Sequence, residues 1–187
     1  QRPISSIVDI TNYIMIDIGR PLHAYDIDKI KGTTLKISKS KKGDKFFALN
    51  GNTYELDDNM LVISDEQSVD DLAGIMGGER TGVTENTTRM FLEAAIFDPV
   101  SIANTGRKLN LNSDARYRFE RGLDYNSPEL VMNYAAEMIN KICGGKFSKI
   151  VNYKLEQKNK IINFEPNIIY QLTGVKIENC LLYTSDA

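Results

Sequence analysis

The chain has 187 residues, with 23 Lys and Arg against 25 Asp and Glu, one His, two Cys and no Trp. A formal net charge of -2 excludes whole-chain polycation behaviour as a route to nucleic acid, so any RNA contact has to come from local patches. With 42% hydrophobic and 26% charged residues, the composition is that of a globular protein with a sizeable core, one ordinary domain or a domain plus a fragment of another, and not of a disordered or fibrous chain.

Cys143 and Cys180 are too few and too far apart for a disulfide framework or a CxxC metal site, which makes them reduced thiols of a cytoplasmic protein and leaves no metal ligand set to expect. The longest apolar runs, such as Met90 to Phe97, are interrupted by Glu93 and fall far short of the ~20 residues of a membrane span, so no membrane is expected as a partner. The amino terminus lacks the layout of a signal peptide and does not begin with Met, so the chain reads as an excised segment. Without an export signal, the sequon Asn86-Thr87-Thr88 is expected to be idle.

From Pro3 to Ile18 the apolar residues Ile4, Ile7, Val8, Ile14, Met15 and Ile18 follow helical spacing, with Gly19 as the stop. Ile10 and Ile16 fall outside that stripe, which predicts a helix apolar around much of its circumference and largely buried. Asn12 lies beside the stripe, as a structural hydrogen-bonder or a site residue. After a turn led by Pro21, in which His23 is expected in a loop, Leu35 to Ser38, Lys45 to Leu49 and Asn52 to Leu56 read as strands, the last two joined by the hairpin signal Asn50-Gly51. Met60 to Ser64 and Ser68 to Ala73 make a second pair, and Arg89 to Phe97 a further strand. A helix follows with Asp98 as N-cap and Pro99 at its first position, running to about Leu109, and another opens at Ser127-Pro128-Glu129 and stops at Gly144-Gly145. Ser148 to Leu155 and Lys160 to Phe164 are read as strands around a linker at Gln157 to Lys160, and Pro166 to Leu172 as a short helix ending at Gly174. Many short strands with few helices make an α+β module.

The glycines at 74, 77, 78 and 82 form neither a Walker loop nor a GxGxxG helix start; they serve tight turns or a close backbone approach to a ligand. No GxSxG elbow is present, and Cys143 has no His nearby in sequence, which disfavours Ser or Cys nucleophile chemistry. The lysines at 36, 39, 41, 42 and 45 are read as gatekeepers of an exposed strand edge, with phosphate contact as the alternative. His23, the one imidazole, has an ordinary pKa near neutrality, and a lone His in a loop is more often structural than functional. Glu93 is the most informative residue. Strand alternation sets it on a face with Phe91, Ala95 and Phe97, and a carboxylate among phenyl rings requires a donor. An intramolecular Arg from Arg116, Arg118 or Arg121 is one candidate; a ligand with a phenolic hydroxyl is the other.

The segments Arg2-Pro3, Val8-Asp9-Ile10-Thr11-Asn12-Tyr13, Gly19-Arg20-Pro21-Leu22-His23-Ala24-Tyr25-Asp26, Ala73-Gly74-Ile75-Met76-Gly77-Gly78-Glu79, Leu92-Glu93-Ala94-Ala95-Ile96-Phe97 and Arg118-Phe119-Glu120-Arg121-Gly122-Leu123-Asp124 together resemble the bacterial phenylalanine–tRNA ligase β subunit. The resemblance runs from Arg2 to about Gly174. It implies that residues 1–156 are the tRNA-editing module of that subunit, a β-sandwich-like α+β unit with flanking helices, and that 157–187 are a linker and the truncated start of the next domain. It also implies hydrolysis of tyrosine mischarged onto phenylalanine tRNA, with a non-catalytic tRNA-docking or scaffold module as the alternative. The implied partners are that tRNA and the α subunit of an α2β2 ligase. No cofactor is implied for editing, whereas the intact ligase uses ATP and magnesium at a synthetic site outside this chain.

Carried over by matching motif, the resemblance implies catalytic roles for Asn12, His23 and Ser113, and substrate binding by Glu93 and Ala115, with Gly77, Gly78 and Phe91 beside them. Family members commonly carry Thr at the position of Ser113 and a small residue at that of Arg116, and residues 180–187 depart from the family pattern. The implied task explains Glu93. A hydrophobic pocket rejects an added hydroxyl by only about 10²-fold, whereas a site that hydrogen-bonds the hydroxyl disfavours an analogue lacking it by about 10⁴–10⁵.

Overall fold

The computed structural model describes residues 3–153 and 161–184, and the chain divides into two compact units, Gln1–Val151 and Asn152–Ala187. The first helix, α1, spans Ser6–Asp17. Ser5 caps it by accepting from the Val8 N–H, and Gly19 turns the chain away at φ 76°. Only one of its faces is buried, that of Ile10, Thr11, Ile14 and Met15. The expectation of a largely buried helix is therefore corrected: Ile10 belongs to the buried stripe, and Ile16 is 62% exposed. The cause is that α1 packs chiefly on α4 (Ser127–Cys143), where Val131 and Ala135 meet Ile10 and Ile14, so one stripe suffices.

His23–Asp26 forms a strand, β1, so the loop expected around His23 is also corrected. Its partner is β8 (Met90–Glu93), antiparallel, with His23 opposite Glu93 and Tyr25 opposite Phe91. Burial of Ala24, Tyr25 and Asp26 makes ladder pairing necessary there, because unpaired backbone polar groups are costly away from water. Between these two come β2 (Lys36–Lys39), β3 (Lys45–Phe47), β4 (Thr53–Glu55), β5 (Leu61–Ser64), β6 (Val69–Leu72) and β7 (Met76–Gly77). They form a four-stranded antiparallel sheet in the order β2-β5-β6-β7 and the hairpin β3-β4, which turns through Asn50 and Gly51 (φ 78°). Isolated bridges join Tyr25 of β1 to Gly82, and Ala48, just after β3, to Gly78, just after β7. Lys36 and Lys39 are exposed on the edge strand β2. The strand expected to run to Phe97 stops at Glu93, because the Ala95 carbonyl is taken by the Arg20 guanidinium (2.6 Å) and leaves the ladder.

Helix α2 (Pro99–Lys108) starts where Asp98 caps the Ser101 N–H, and a six-residue helix not foreseen from sequence, α3 (Asp114–Phe119), starts at Ser113. The core joins Tyr25, Phe46, Leu72, Phe97, Ile102 and Phe119 across sheets and helices. Helix α4 ends at Gly144 (φ 74°) as its sequence predicts. The strands expected at 148–155 and 160–164 are corrected where they can be compared: residues 148–153 and 161–164 are not in strands. Val151, Tyr153, Ile161 and Ile162 are all strongly exposed, and a strand without a neighbour leaves its backbone groups unpaired. The linker expected at 157–160 lies outside the described residues. In the second unit, α5 (Asn167–Thr173) ends at left-handed Gly174 and α6 spans Asn179–Thr184.

Candidate functional site

The β1/β8 register sets alternate residues on a common face, and there His23, Tyr25, Phe91 and Glu93 stand together. Strand β6 brings Asp71 to the same place, β7 and the turn before it bring Gly74, Met76 and Gly77, and α3 brings Ala115 and Phe119. These groups line a cavity of about 70 Å³ with apolar walls from Pro21, Ile75, Phe97 and Phe119, and a polar floor of His23, Asp71 and Glu93.

The floor is held by a fully buried tyrosine. Tyr25 Oη lies 3.0 Å from Asp71 Oδ2 and 3.1 Å from Glu93 Oε2. The structure gives Glu93 a donor from the protein itself, the Tyr25 phenol, where the sequence offered an Arg or a ligand hydroxyl, and the three Arg candidates are engaged elsewhere. Arg116 turns to Glu120 (3.0 Å) and to the Leu111 carbonyl, Arg118 reaches back to Asp114, and Arg121 stacks 3.7 Å over the Tyr117 ring.

Burial raises both carboxyls to about 7. The Tyr25 hydrogen bond pulls Asp71 down while Asp70 pushes it up; Asp71 pushes Glu93 up while His23 and Tyr25 pull it down. Burial depresses the His23 imidazole, with Glu93 opposing, so the ring is neutral at pH 7. Burial and the two carboxyls raise Tyr25, which stays a phenol. His23 Nε2 is buried without a hydrogen-bond partner, 3.6 Å from Asp71 Oδ2, and its ring meets Tyr25 edge-on at 4.3 Å. Gly77 is required beside it, since a Cβ there would fall 2.3 Å from His23 Cε1.

The structure thus brings His23, Glu93, Ala115 and Gly77 to one cavity. Gly78 lies behind it, where a Cβ would fall 2.4 Å from the Asp70 carbonyl oxygen, so its bare backbone allows β6 and β7 to close. Phe91 is 46% exposed, its ring 6.0 Å from that of Tyr25. Asn12 is half-buried on α1, a helix that packs against β1, and it is not part of the cavity wall. Ser113 caps α3: it accepts from the Arg116 N–H (3.0 Å) and donates to the Ile75 carbonyl (2.6 Å), which ties α3 to the cavity wall.

Sequence reasoning missed Tyr25 and Asp71. Strand alternation two residues beyond His23 would have found the first, had β1 been recognised. The adjacent acids Asp70 and Asp71 within an expected strand were the signal for the second. It also missed Arg20, 1% exposed, which binds Ser127 and the carbonyls of Ala95 and Asp124 and locks the connection after β8 to the start of α4. Among the described residues no group of three or more His, Cys, Asp or Glu side chains could hold a metal ion, and no helix is long and apolar enough to cross a membrane.

Comparison with known proteins gives the context. The chain is 48% identical over 180 residues to the phenylalanine–tRNA ligase beta subunit of Bartonella henselae, covering 95% of this chain and 22% of that protein. It is 46% identical over 179 residues to the same subunit of Cereibacter sphaeroides, and 46% over 178 residues to that of Rhodospirillum rubrum, again spanning 22% of each. The chain therefore spans about a fifth of the length of these relatives. Residues 1–144, which include every residue of the cavity, match the B3/4 domain, and the chain belongs to the B3/4 domain family.

Proposed function

We propose that the chain is the editing part of a phenylalanine–tRNA ligase β subunit, acting in the cytoplasm with an α subunit in an α2β2 enzyme, and that its cavity selects tyrosine esterified to phenylalanine tRNA for hydrolysis. One observation carries the reading: a carboxyl group, Glu93, stands with His23 and Asp71 at the polar floor of a cavity whose walls are apolar. Such a cavity suits an aromatic ring that ends in a hydroxyl. At about 70 Å³ it is smaller than the roughly 150 Å³ cavity known to hold a benzene ring, so a phenol ring is admitted only if the lining moves aside, and Met76 is the unbranched side chain there best suited to repack.

Hydrolysis adds water to the ester carbonyl, breaks the bond to the terminal ribose and returns a proton to the ribose hydroxyl. His23 is neutral and its Nε2 is unpaired, which suits a group that orients water or accepts its proton. Asn12 stands on α1 outside the cavity wall, so its amide is not assigned to the developing oxyanion. Ser113 has committed its one proton to Ile75, so its part is to hold Ala115 and the wall in place. No step of the proposed hydrolysis uses ATP or magnesium.

The test is tyrosine release from tyrosyl-tRNA specific for phenylalanine, measured with the assembled ligase and with a form lacking residues 1–156. Release that depends on this segment is expected. Equal release by both forms would leave the docking or scaffold reading.

A further inference from the structure

One hydroxyl at the cavity floor serves two buried carboxyl groups: Tyr25 Oη is 3.0 Å from Asp71 and 3.1 Å from Glu93. A phenol has a single proton to give. With both carboxyls ionised, one of these contacts would set an oxygen lone pair against a carboxylate. With one added proton both become hydrogen bonds, one carboxyl donating to Oη while Oη donates to the other.

Among the described residues that line the cavity, no Lys or Arg faces the pair. From β1 the pair meets His23, whose Nε2 is 3.6 Å from Asp71. Strand β6 adds Asp70, already paired with Arg80; β7 contributes Met76 and Gly77, and α3 contributes Ala115 and Phe119, none of them titratable.

We propose that Tyr25, Asp71 and Glu93 form an array holding one shared proton, in which Tyr25 and Asp71 are positioning residues that fix the orientation and protonation of Glu93 and so make its recognition of a substrate hydroxyl pH dependent. The proposal rests on reading the cavity as hydroxyl-selecting. Within the array Glu93 Oε2 is committed to Tyr25, and the other oxygen is left to accept from the substrate. Burial retains the shared proton up to the neutral range. Once it is lost, two carboxylates compete for one hydroxyl, Glu93 is repelled from Tyr25, and its geometry as an acceptor degrades.

Asp71→Asn keeps an acceptor for Tyr25 at nearly the same volume and removes one ionisable group. In the assembled ligase, the ratio of tyrosyl- to phenylalanyl-tRNA hydrolysis should fall about ten-fold across one step near neutrality in the parent, and the step should vanish from that range in Asp71→Asn. The same step in both proteins would overturn the array, while a parent that hydrolyses neither ester would overturn the editing reading alone. The array is then judged on the 187-residue chain by carboxyl ¹³C titration. Glu93 should titrate in two coupled steps in the parent and in one step at lower pH in Asp71→Asn. Identical Glu93 titration in the two proteins would overturn the proposal whatever the activity.

Discussion

Asp70 and Asp71 are neighbours on one strand, both buried, and the structure treats them in opposite ways. Asp70 faces Arg80, which also holds Asp65 at 2.6 Å, and its second oxygen accepts from the Asp65 N–H at 3.0 Å. Asp71, on the other face of β6, has a tyrosine hydroxyl that it must share with Glu93, and a neutral imidazole out of hydrogen-bond range. Burial raises both carboxyls, but only for Asp70 does a guanidinium oppose it. A buried acid with a full set of partners is part of the frame, whereas one that shares a hydroxyl is ready to change its protonation. Alternation along a single strand puts the frame on one side and the candidate site on the other.

The largest effect is expected on the framed side. Arg80→Met strands Asp65 and Asp70 and should cost about 2–4 kcal/mol in denaturant unfolding, somewhat below a fully buried pair because Arg80 is partly exposed. A cost under about 1 kcal/mol would show that the arginine does not hold that side. Ser113 is a second fully satisfied group, donating to Ile75 and accepting from Arg116. Ser113→Ala should lose about 1–2 kcal/mol and Ser113→Thr much less, by the same measurement.

The smallest effect concerns pH and belongs to the shared side. Burial raises Asp71 and Glu93 together in the folded state, and the one proton they share means that between the ordinary carboxyl range and neutrality the native chain binds more protons than the unfolded one. The stability this provides is complete below the unfolded values and is lost as pH rises through about 7. His23, depressed by burial, acts in the opposite sense only below its ordinary value of 6.5. Unfolding free energy should therefore fall by about 1 kcal/mol from about pH 6.5 to about pH 8.5, at 1.36 kcal/mol per pKa unit. No fall, or a rise, would contradict the shared-proton floor.

Much of the frame was legible in the sequence because local chemistry decides it. Asp98-Pro99 starts α2, Asn50-Gly51 turns the β3-β4 hairpin, and Gly144 and Gly174 stop α4 and α5. The motif residues His23, Glu93 and Ala115 do converge on one cavity. What could not be read depends on pairing between distant segments. The short β1 reveals itself only against β8, and without that register Tyr25 cannot be seen beneath Glu93. The end of β8 is set by Arg20, more than 70 positions earlier, which takes the Ala95 carbonyl. The exposed Ile16 shows the same limit, since helical periodicity does not tell how many neighbours a helix will have.

The central claim is that Glu93 reads a substrate hydroxyl and does not merely neutralise a structural partner. Glu93→Ala leaves Tyr25 with Asp71 as its acceptor and strands no cation, so the fold should hold to within about 2 kcal/mol. In the assembled ligase, the decisive measurement is the ratio of tyrosyl- to phenylalanyl-tRNA hydrolysis by parent and Glu93→Ala, alongside thermal unfolding of both. The account predicts a stable variant whose ratio falls by about 10²-fold or more. A stable variant that keeps its preference for the tyrosyl ester would contradict it.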